Sequence, residues 1–475
     1  MVSDSSSKSK HHIVLFPFMS KGHTIPLLHL ARLLLDRGVL ITIFTTPANH
    51  PFISQSLSGA DVSIVDLPFP ENIPGIPHEA ESTDKLPSMS LFVPFVNGIK
   101  FMKPSFEEAL QNIHSQVSCI ISDGFLHWTL ESASRFGIPR LSFYGTNHYS
   151  MTLAYDAIVN GLLPLHESDD EPFTLAGFPW IKLTRNDFDS PLDKRDPRGP
   201  HLDFMNEVAT ATANSYGLLV NSFYELEQPY EEYWNRECQP KAWSIGPLCL
   251  AQPSKLEASP CHKPKWMHWL DQKLAQKSPV LYVAFGSQTK ISPTQLREIA
   301  LGLEEAKVSF LWVMRESKVE LIDGFEDKVS ERGIIVNEWV DQKEVLEHPI
   351  VQGFLSHCGW NSVLEGISAE VPILAWPMMA EQHLNARMVE EEIKVGLRVN
   401  RVDGSAKGFV TSKSLMHAVL ELMEGEKGKA FREKVKEVAM SARKAMAEGG
   451  SSWHALNNLL SQTLKQKEIN SSKFN

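Results

Sequence analysis

Residues 339–382 read WVDQKEVLEHPIVQGFLSHCGWNSVLEGISAEVPILAWPMMAEQ. A short apolar run, Gly353–Ser356, passes through a turn at Gly359 into a helical pattern over Val363–Ser368, and a second run follows at Pro372–Trp376. Strand, glycine turn, helix and strand in so short a span is the repeating unit of a parallel sheet covered by helices. The polar residues fall at the expected strand ends and helix start. Ser356, His357, Asn361 and Ser362 surround a turn whose free N–H groups form an anion site, to which His, Asn and Ser add donors. Glu365, one turn into the helix, is a carboxylate able to accept two hydroxyl donors, as from a ribose. Upstream, Trp339 offers a flat apolar face for a base. Downstream, Glu381 and Gln382 carry groups suited to sugar hydroxyls.

The same grammar extends outward. Val280–Phe285, Phe310–Met314 and Ile334–Asn337 read as strands before the stretch. Near the N-terminus Ile13–Phe18, Val39–Thr45, Val62–Leu67, Val117–Ser122, Arg140–Tyr144 and Gly217–Asn221 do the same, with a helical pattern over Thr24–Arg37 that stops at Gly38. The expected fold class is α/β, with two facing, doubly wound, Rossmann-like domains and a cleft between them. Residues 1–245 form the first domain and 265–450 the second. Residues 246–264, holding four prolines and two cysteines, form a linker. Residues 451–475 carry a final amphipathic helix whose period leaves open which half it packs on; a return to the first domain is one option. Two irregular insertions, 68–87 and 163–200, read as surface loops.

The bulk numbers narrow the function. A chain of 475 residues exceeds one core, which agrees with two domains. Its net charge of −11 argues against nucleic acid or an anionic membrane surface as partners. Five scattered cysteines without CxxC spacing fit a reduced, cytoplasmic protein better than a disulfide scaffold or a zinc site. No membrane span and no signal peptide are expected, since the first apolar run, IVLFPF, is too short for either.

In the first half the strand Ile13–Phe18 runs through Ser20, Lys21 and Gly22 to His23 at a helix start. The positive helix end tends to keep an imidazole neutral and able to take a proton. Asp123 ends another strand; there it is either a helix cap or, if it reaches His23, the group that fixes its tautomer. The aromatic-rich segments Leu86–Phe95, Phe125–Trp128, Tyr144–Tyr149 and the loop around Phe188 are candidates for the wall of an apolar pocket. Three other functions compete with a transferase, one of them a UDP-sugar-binding protein without catalysis, against which the presence of both His23 and Asp123 argues. A nicotinamide oxidoreductase needs a GxGxxG run after a strand, and none occurs. A metal-dependent transferase could use Asp187 and Asp189, but they lie in an irregular loop dense with charge and proline, where a solvated turn accounts for them far better.

Residues 339–382 closely resemble the signature box of the plant UDP-dependent glycosyltransferases of small molecules. Supporting matches are Gly22-His23 with Pro26, Ser122-Asp123, Ser244-Ile245-Gly246-Pro247 and Phe285-Gly286-Ser287. The resemblance implies the GT-B arrangement of two Rossmann-like domains, a monomer, no metal and no cofactor, a UDP-sugar co-substrate and inversion at the sugar carbon. It implies that Trp339 stacks on uracil with the Val340 backbone and Gln342 nearby, and that Glu365 binds the ribose. Ser287, His357, Asn361 and Ser362 would hold the diphosphate. The Trp360 backbone, Glu381 and Gln382 would address the sugar, a Gln in the last position accompanying glucose. His23 would be the base and Asp123 its partner, acting on a small apolar, phenolic acceptor. The sequence departs from the pattern at Val340-Asp341, at Glu381 where Asp is commoner, and at Gly145, where a sugar-contacting Thr is expected and Thr146 follows.

Overall fold

The buried apolar runs of the first half become strands β1 (His12–Phe16), β2 (Leu40–Thr45), β3 (Val62–Asp66), β4 (Cys119–Asp123) and β5 (Arg140–Tyr144). A small hairpin, β6 (Phe173–Thr174) and β7 (Lys182–Leu183), precedes β8 (Gly217–Val220) and β9 (Ala242–Ser244). The computed structural model describes residues 11–113, 116–165, 167–251, 263–314, 324–401 and 407–472, the last stretch with side chains to 463. The second half supplies β10 (Val280–Ala284), β11 (Ser309–Val313), β12 (Gly333–Val336), β13 (Val351–Ser356), β14 (Ile373–Ala375) and β15 (Gly396–Arg398). Strands β1 and β10 are buried along their whole length, as central parallel strands covered on both faces must be.

The sheets run β3-β2-β1-β4-β5-β8-β9 and β12-β11-β10-β13-β14-β15, and their pairs are parallel. Both orders reverse beside the first strand of their half. Loops leaving β1 and β4 turn to opposite sides, as do those leaving β10 and β13, and a crevice opens between them. The register aligns Phe16 with Ser122 in one sheet and Ala284 with Ser356 in the other. In each half the residues that follow the two strand ends are therefore neighbours in space, although they lie far apart in sequence.

Most expected strands stand within two residues of their positions. Strands β9 and β15 and the hairpin were not foreseen, since runs of two or three residues carry no measurable period. The insertion 163–200 holds that hairpin and a one-turn 3₁₀ segment, Arg185–Asp187. Residues 252–262 of the expected linker lie outside the described residues. The final helix, Ser451–Ser472, packs back on the first sheet: Leu456 and Leu459 are buried with Ile13, Leu15 and Leu30, and Ser452 Oγ donates to Gly246 O at 2.6 Å. The two halves share one apolar cluster, in which Tyr149, Leu153 and Tyr230 meet Trp360, Val363 and Leu384. Among the described residues no helix is long and apolar enough to cross a membrane.

Candidate active site

The helix Lys21–Leu35 begins just after β1 and holds His23 in its first turn. Asp123 ends β4, the strand next to β1. His23 Nδ1 and Asp123 Oδ2 are 2.8 Å apart, while Asp123 Oδ1 accepts the Phe125 N–H at 3.0 Å. Both carboxylate oxygens are thus occupied on a side chain only 2% exposed, and the His23 Nε2 is left for a substrate. Burial and the helix start both favour neutral imidazole. The Asp123 charge and hydrogen bond outweigh them, so the His23 pKa is raised, with a smaller contribution from Glu381 of the second half. Beneath Asp123 lies Arg140, fully buried, donating to Ser122 Oγ at 2.8 Å and to Asp123 O at 3.3 Å; burial lowers its pKa to about 10.

A cleft of about 2390 Å³ runs between the halves, lined by His23, Asp123, Ser287 and the box residues from Trp339 to Gln382 to which the resemblance gives a role, while Ser356 is buried beneath it. Glu365 is reached by Gln342 Nε2 at 2.6 Å, and the same amide donates to Ser362 Oγ at 2.9 Å. Burial pushes the Glu365 carboxyl up to about 7. Trp339 is 52% exposed, with Lys21 Nζ of the first half 4.0 Å from its ring centroid. A base stacking there shares the ring with a cation or displaces it. His357 fills a slot between two glycines: a Cβ on Gly286 would lie 2.6 Å from its Nε2, and one on Gly359 2.7 Å. Burial holds this imidazole neutral by lowering its pKa to about 4.

Two box side chains are engaged differently from expectation. Asn361 spends its amide across the cleft, donating to Gly22 O at 2.6 Å and accepting from Asn221 Nδ2 at 3.1 Å. Gly22 O is available because Pro26, four residues on, has no N–H to give it. Gln382 Oε1 accepts the Met378 and Met379 N–H groups, each at 3.0 Å, which fixes the amide orientation and leaves only Nε2 for a ligand. Trp360 also bridges the halves, its indole N–H donating to Asn221 O at 2.7 Å. Thr146 Oγ1 pairs with Ser150 Oγ at 3.1 Å and lines the cleft. Ser287 and the buried Val340 also line the cleft.

The wall facing His23 is aromatic. Phe125 stands at its centre, 4.9 Å from the His23 ring, 5.3 Å from Phe18, 5.9 Å from Phe92 and 5.5 Å from Phe204, measured between centroids. A family model described as UDP-glucoronosyl and UDP-glucosyl transferase matches residues 261–438. UDP-glycosyltransferase 90A1 of Arabidopsis thaliana is 51% identical over 477 residues, covering 98% of this chain and 99% of that protein. The chain belongs to the plant UDP-dependent glycosyltransferases. The scopoletin glucosyltransferase of Nicotiana tabacum is 35% identical over 94% of this chain and 97% of its own length. A crystal structure of Glycyrrhiza uralensis UGT73P12, complexed with glycyrrhetinic acid 3-O-monoglucuronide, superposes with a TM-score of 0.87 at 30% identity, covering 98% of each chain.

As a plant UDP-glycosyltransferase, the protein is an enzyme that transfers a sugar from a UDP-sugar to a small molecule. Its GT-B cleft also contains residues that the sequence did not reveal. The helix Pro200–Ala213 supplies His201, Phe204, Met205 and Val208 to the wall, and its amphipathic pattern could have marked it. Conversely, Trp128 and Tyr149, both in expected pocket segments, are core residues: Trp128 packs on Phe16 and Phe106, Tyr149 on Tyr230. Asp187 and Asp189 are taken up by Arg387 and by the Ala380 N–H.

Proposed function

We propose that this enzyme is an inverting, UDP-glucose-dependent O-glucosyltransferase of small, apolar, phenolic acceptors, working as a cytoplasmic monomer. The observation that carries the reading is the meeting of the two halves at His23. Its Nδ1 is fixed by Asp123 at 2.8 Å, phenylalanines surround it, and Glu381 is close enough to raise its pKa. A base so placed lies between an apolar acceptor and the sugar end of a donor.

The chemistry follows. The acceptor hydroxyl gives its proton to His23 Nε2 as its oxygen bonds to the anomeric carbon, and Asp123 stabilises the imidazolium. The bond from that carbon to the diphosphate breaks, and its electron pair leaves on UDP. The N–H groups at the start of the helix Trp360–Ser368, with His357 and Ser287, stabilise the charge that develops. Attack opposite the leaving group makes a β-glucoside from an α-linked donor. Trp339 and Val340 would hold the uracil. Glu365, braced by Gln342, would hold the ribose. Glu381 and Gln382 would hold the sugar.

Glucose is supported by Gln382, whose free Nε2 can donate to a hydroxyl, and by relatives whose names are glucosyltransferases. The four described cysteines are free, which supports a reducing compartment. The test is a screen of phenolic acceptors with UDP-glucose, read by product mass and by the anomeric coupling constant of the product. A product of α configuration, or UDP binding without turnover over a broad panel, contradicts the proposal.

A further inference from the structure

The segment Asp187–Asp189 belongs to the first half, yet both of its carboxylates reach the second. Asp187 accepts the Thr184 N–H at 2.7 Å and pairs with Arg387 at 3.1 Å. Phe188, between them, is buried, stacks near Phe173 with centroids 6.4 Å apart, and lines the cleft. Asp189 Oδ2 accepts the Ala380 N–H at 2.6 Å, with Lys407 Nζ 3.8 Å from its other oxygen.

Ala380 adopts φ 54°, the left-handed region that a side chain with a Cβ disfavours. The next residue is Glu381. Three consecutive N–H groups in this turn are held by side chains. Those of Met378 and Met379 go to Gln382 Oε1, within the turn's own chain. That of Ala380 goes to a residue of the other half. A carboxylate accepting a backbone N–H makes a short, strong bond, and here it restrains the least favourable backbone position of the turn.

We infer that Asp189 is a positioning residue for the donor sugar: by holding the Ala380 N–H it fixes the turn that aims Glu381, and so ties the acceptor wall to sugar recognition. The inference rests on the proposed reading of Glu381 and Gln382 as the sugar end of the donor site. Without Asp189 the Ala380 backbone relaxes and the Glu381 carboxylate shifts relative to the sugar, while the uracil, ribose and diphosphate contacts stay in place. Selectivity among sugars should fall, and affinity for UDP should not. A residue that merely latched the halves together would weaken every ligand alike.

The experiment compares Asp189→Ala, Asp189→Asn and Glu381→Ala, measuring kcat/KM with UDP-glucose and UDP-galactose and the Kd of UDP alone by calorimetry. Asp189→Ala should lower kcat/KM for UDP-glucose about tenfold and narrow its preference over UDP-galactose several-fold, since small misplacements at a reacting centre are costly. UDP affinity should stay within about twofold, because the nucleotide contacts are untouched. Asp189→Asn, which keeps an oxygen for the N–H, should recover most of the preference. An unchanged preference in Asp189→Ala, or an equal loss of UDP affinity, overturns the inference. If Glu381→Ala narrows the preference and Asp189→Ala does not, the inference alone fails. If Glu381→Ala itself leaves the preference unchanged, the sugar-end reading fails and takes the inference with it.

Discussion

The two walls of the cleft are built on opposite plans. Almost the whole of the proposed donor wall comes from one stretch, residues 339–382, with Ser287 added from the neighbouring strand end. Its polar side chains brace one another, as Gln342 braces Glu365 and Ser362. The proposed acceptor wall draws on Phe18, Phe92, Phe125 and Phe204, which come from four separate segments and meet through ring contacts, with Phe188 lining the cleft beside Phe173. Directional hydrogen bonds need fixed spacing, which a strand end and helix start can encode locally. Apolar contact needs only surface, which any segment can supply. The donor wall should therefore be intolerant of single changes, and the acceptor wall should spread its losses.

The largest effect is expected at the junction of the walls. His23→Ala should cut turnover by about 10²–10⁴-fold, the usual worth of a general base, with little change in UDP-glucose affinity. A variant retaining more than half the wild-type rate on a phenol ends the assignment. Because Asp123 raises the His23 pKa, the acid limb of kcat/KM should lie above the ordinary imidazole value. Asp123→Asn removes that charge, so the limb should move to lower pH as the maximal rate falls. A limb that stays put separates Asp123 from the titration.

On the donor wall, Glu365→Ala should weaken UDP binding by roughly 1–3 kcal/mol, the cost of removing a charged acceptor from two hydroxyls. The sign of its pH dependence follows from the raised pKa, about 7. Below it the carboxyl is protonated and binding must expel that proton; above it the carboxylate already accepts both hydroxyls without that cost. UDP affinity should rise between pH 6 and 8 more steeply in the native enzyme than in Glu365→Gln, which controls for titration of the diphosphate. Equal slopes would falsify the ribose assignment.

On the acceptor wall, Phe125→Ala should raise acceptor KM by about 3- to 30-fold, the order expected when one ring of several is lost. UDP affinity should hold. A loss in kcat larger than the rise in KM would show instead that the Phe125 ring chiefly holds the His23 imidazole, 4.9 Å away between centroids, in its place. The smallest effect concerns Gln382. With Oε1 committed to the backbone, only its donor pair is left for the proposed sugar contact, so discrimination there would rest on one hydrogen-bonding direction. Gln382→Glu keeps the backbone bonds and removes the donor. It should narrow the preference for UDP-glucose over UDP-galactose by about 10-fold or less; an unchanged ratio removes Gln382 from sugar selection.

The alternation of apolar runs with helical patterns determined the two α/β halves, because a buried parallel strand needs a continuous apolar run wherever it sits. The stretch 339–382 likewise determined which residues crowd the donor wall, since a strand end and the next helix start are close in space by chain connection alone. The sequence could not decide that His23 and Asp123 meet. One hundred residues separate them, and only the pairing of β1 with β4 brings Asp123 Oδ2 within 2.8 Å of the imidazole. Nor could it show that Asn361 faces Gly22, that Gln382 turns its oxygen to the backbone, or that Asp189 holds Ala380. Each is a hydrogen bond whose partner is chosen by how two segments pack. A polar side chain's type states what it can bind, and the tertiary structure decides what it does bind.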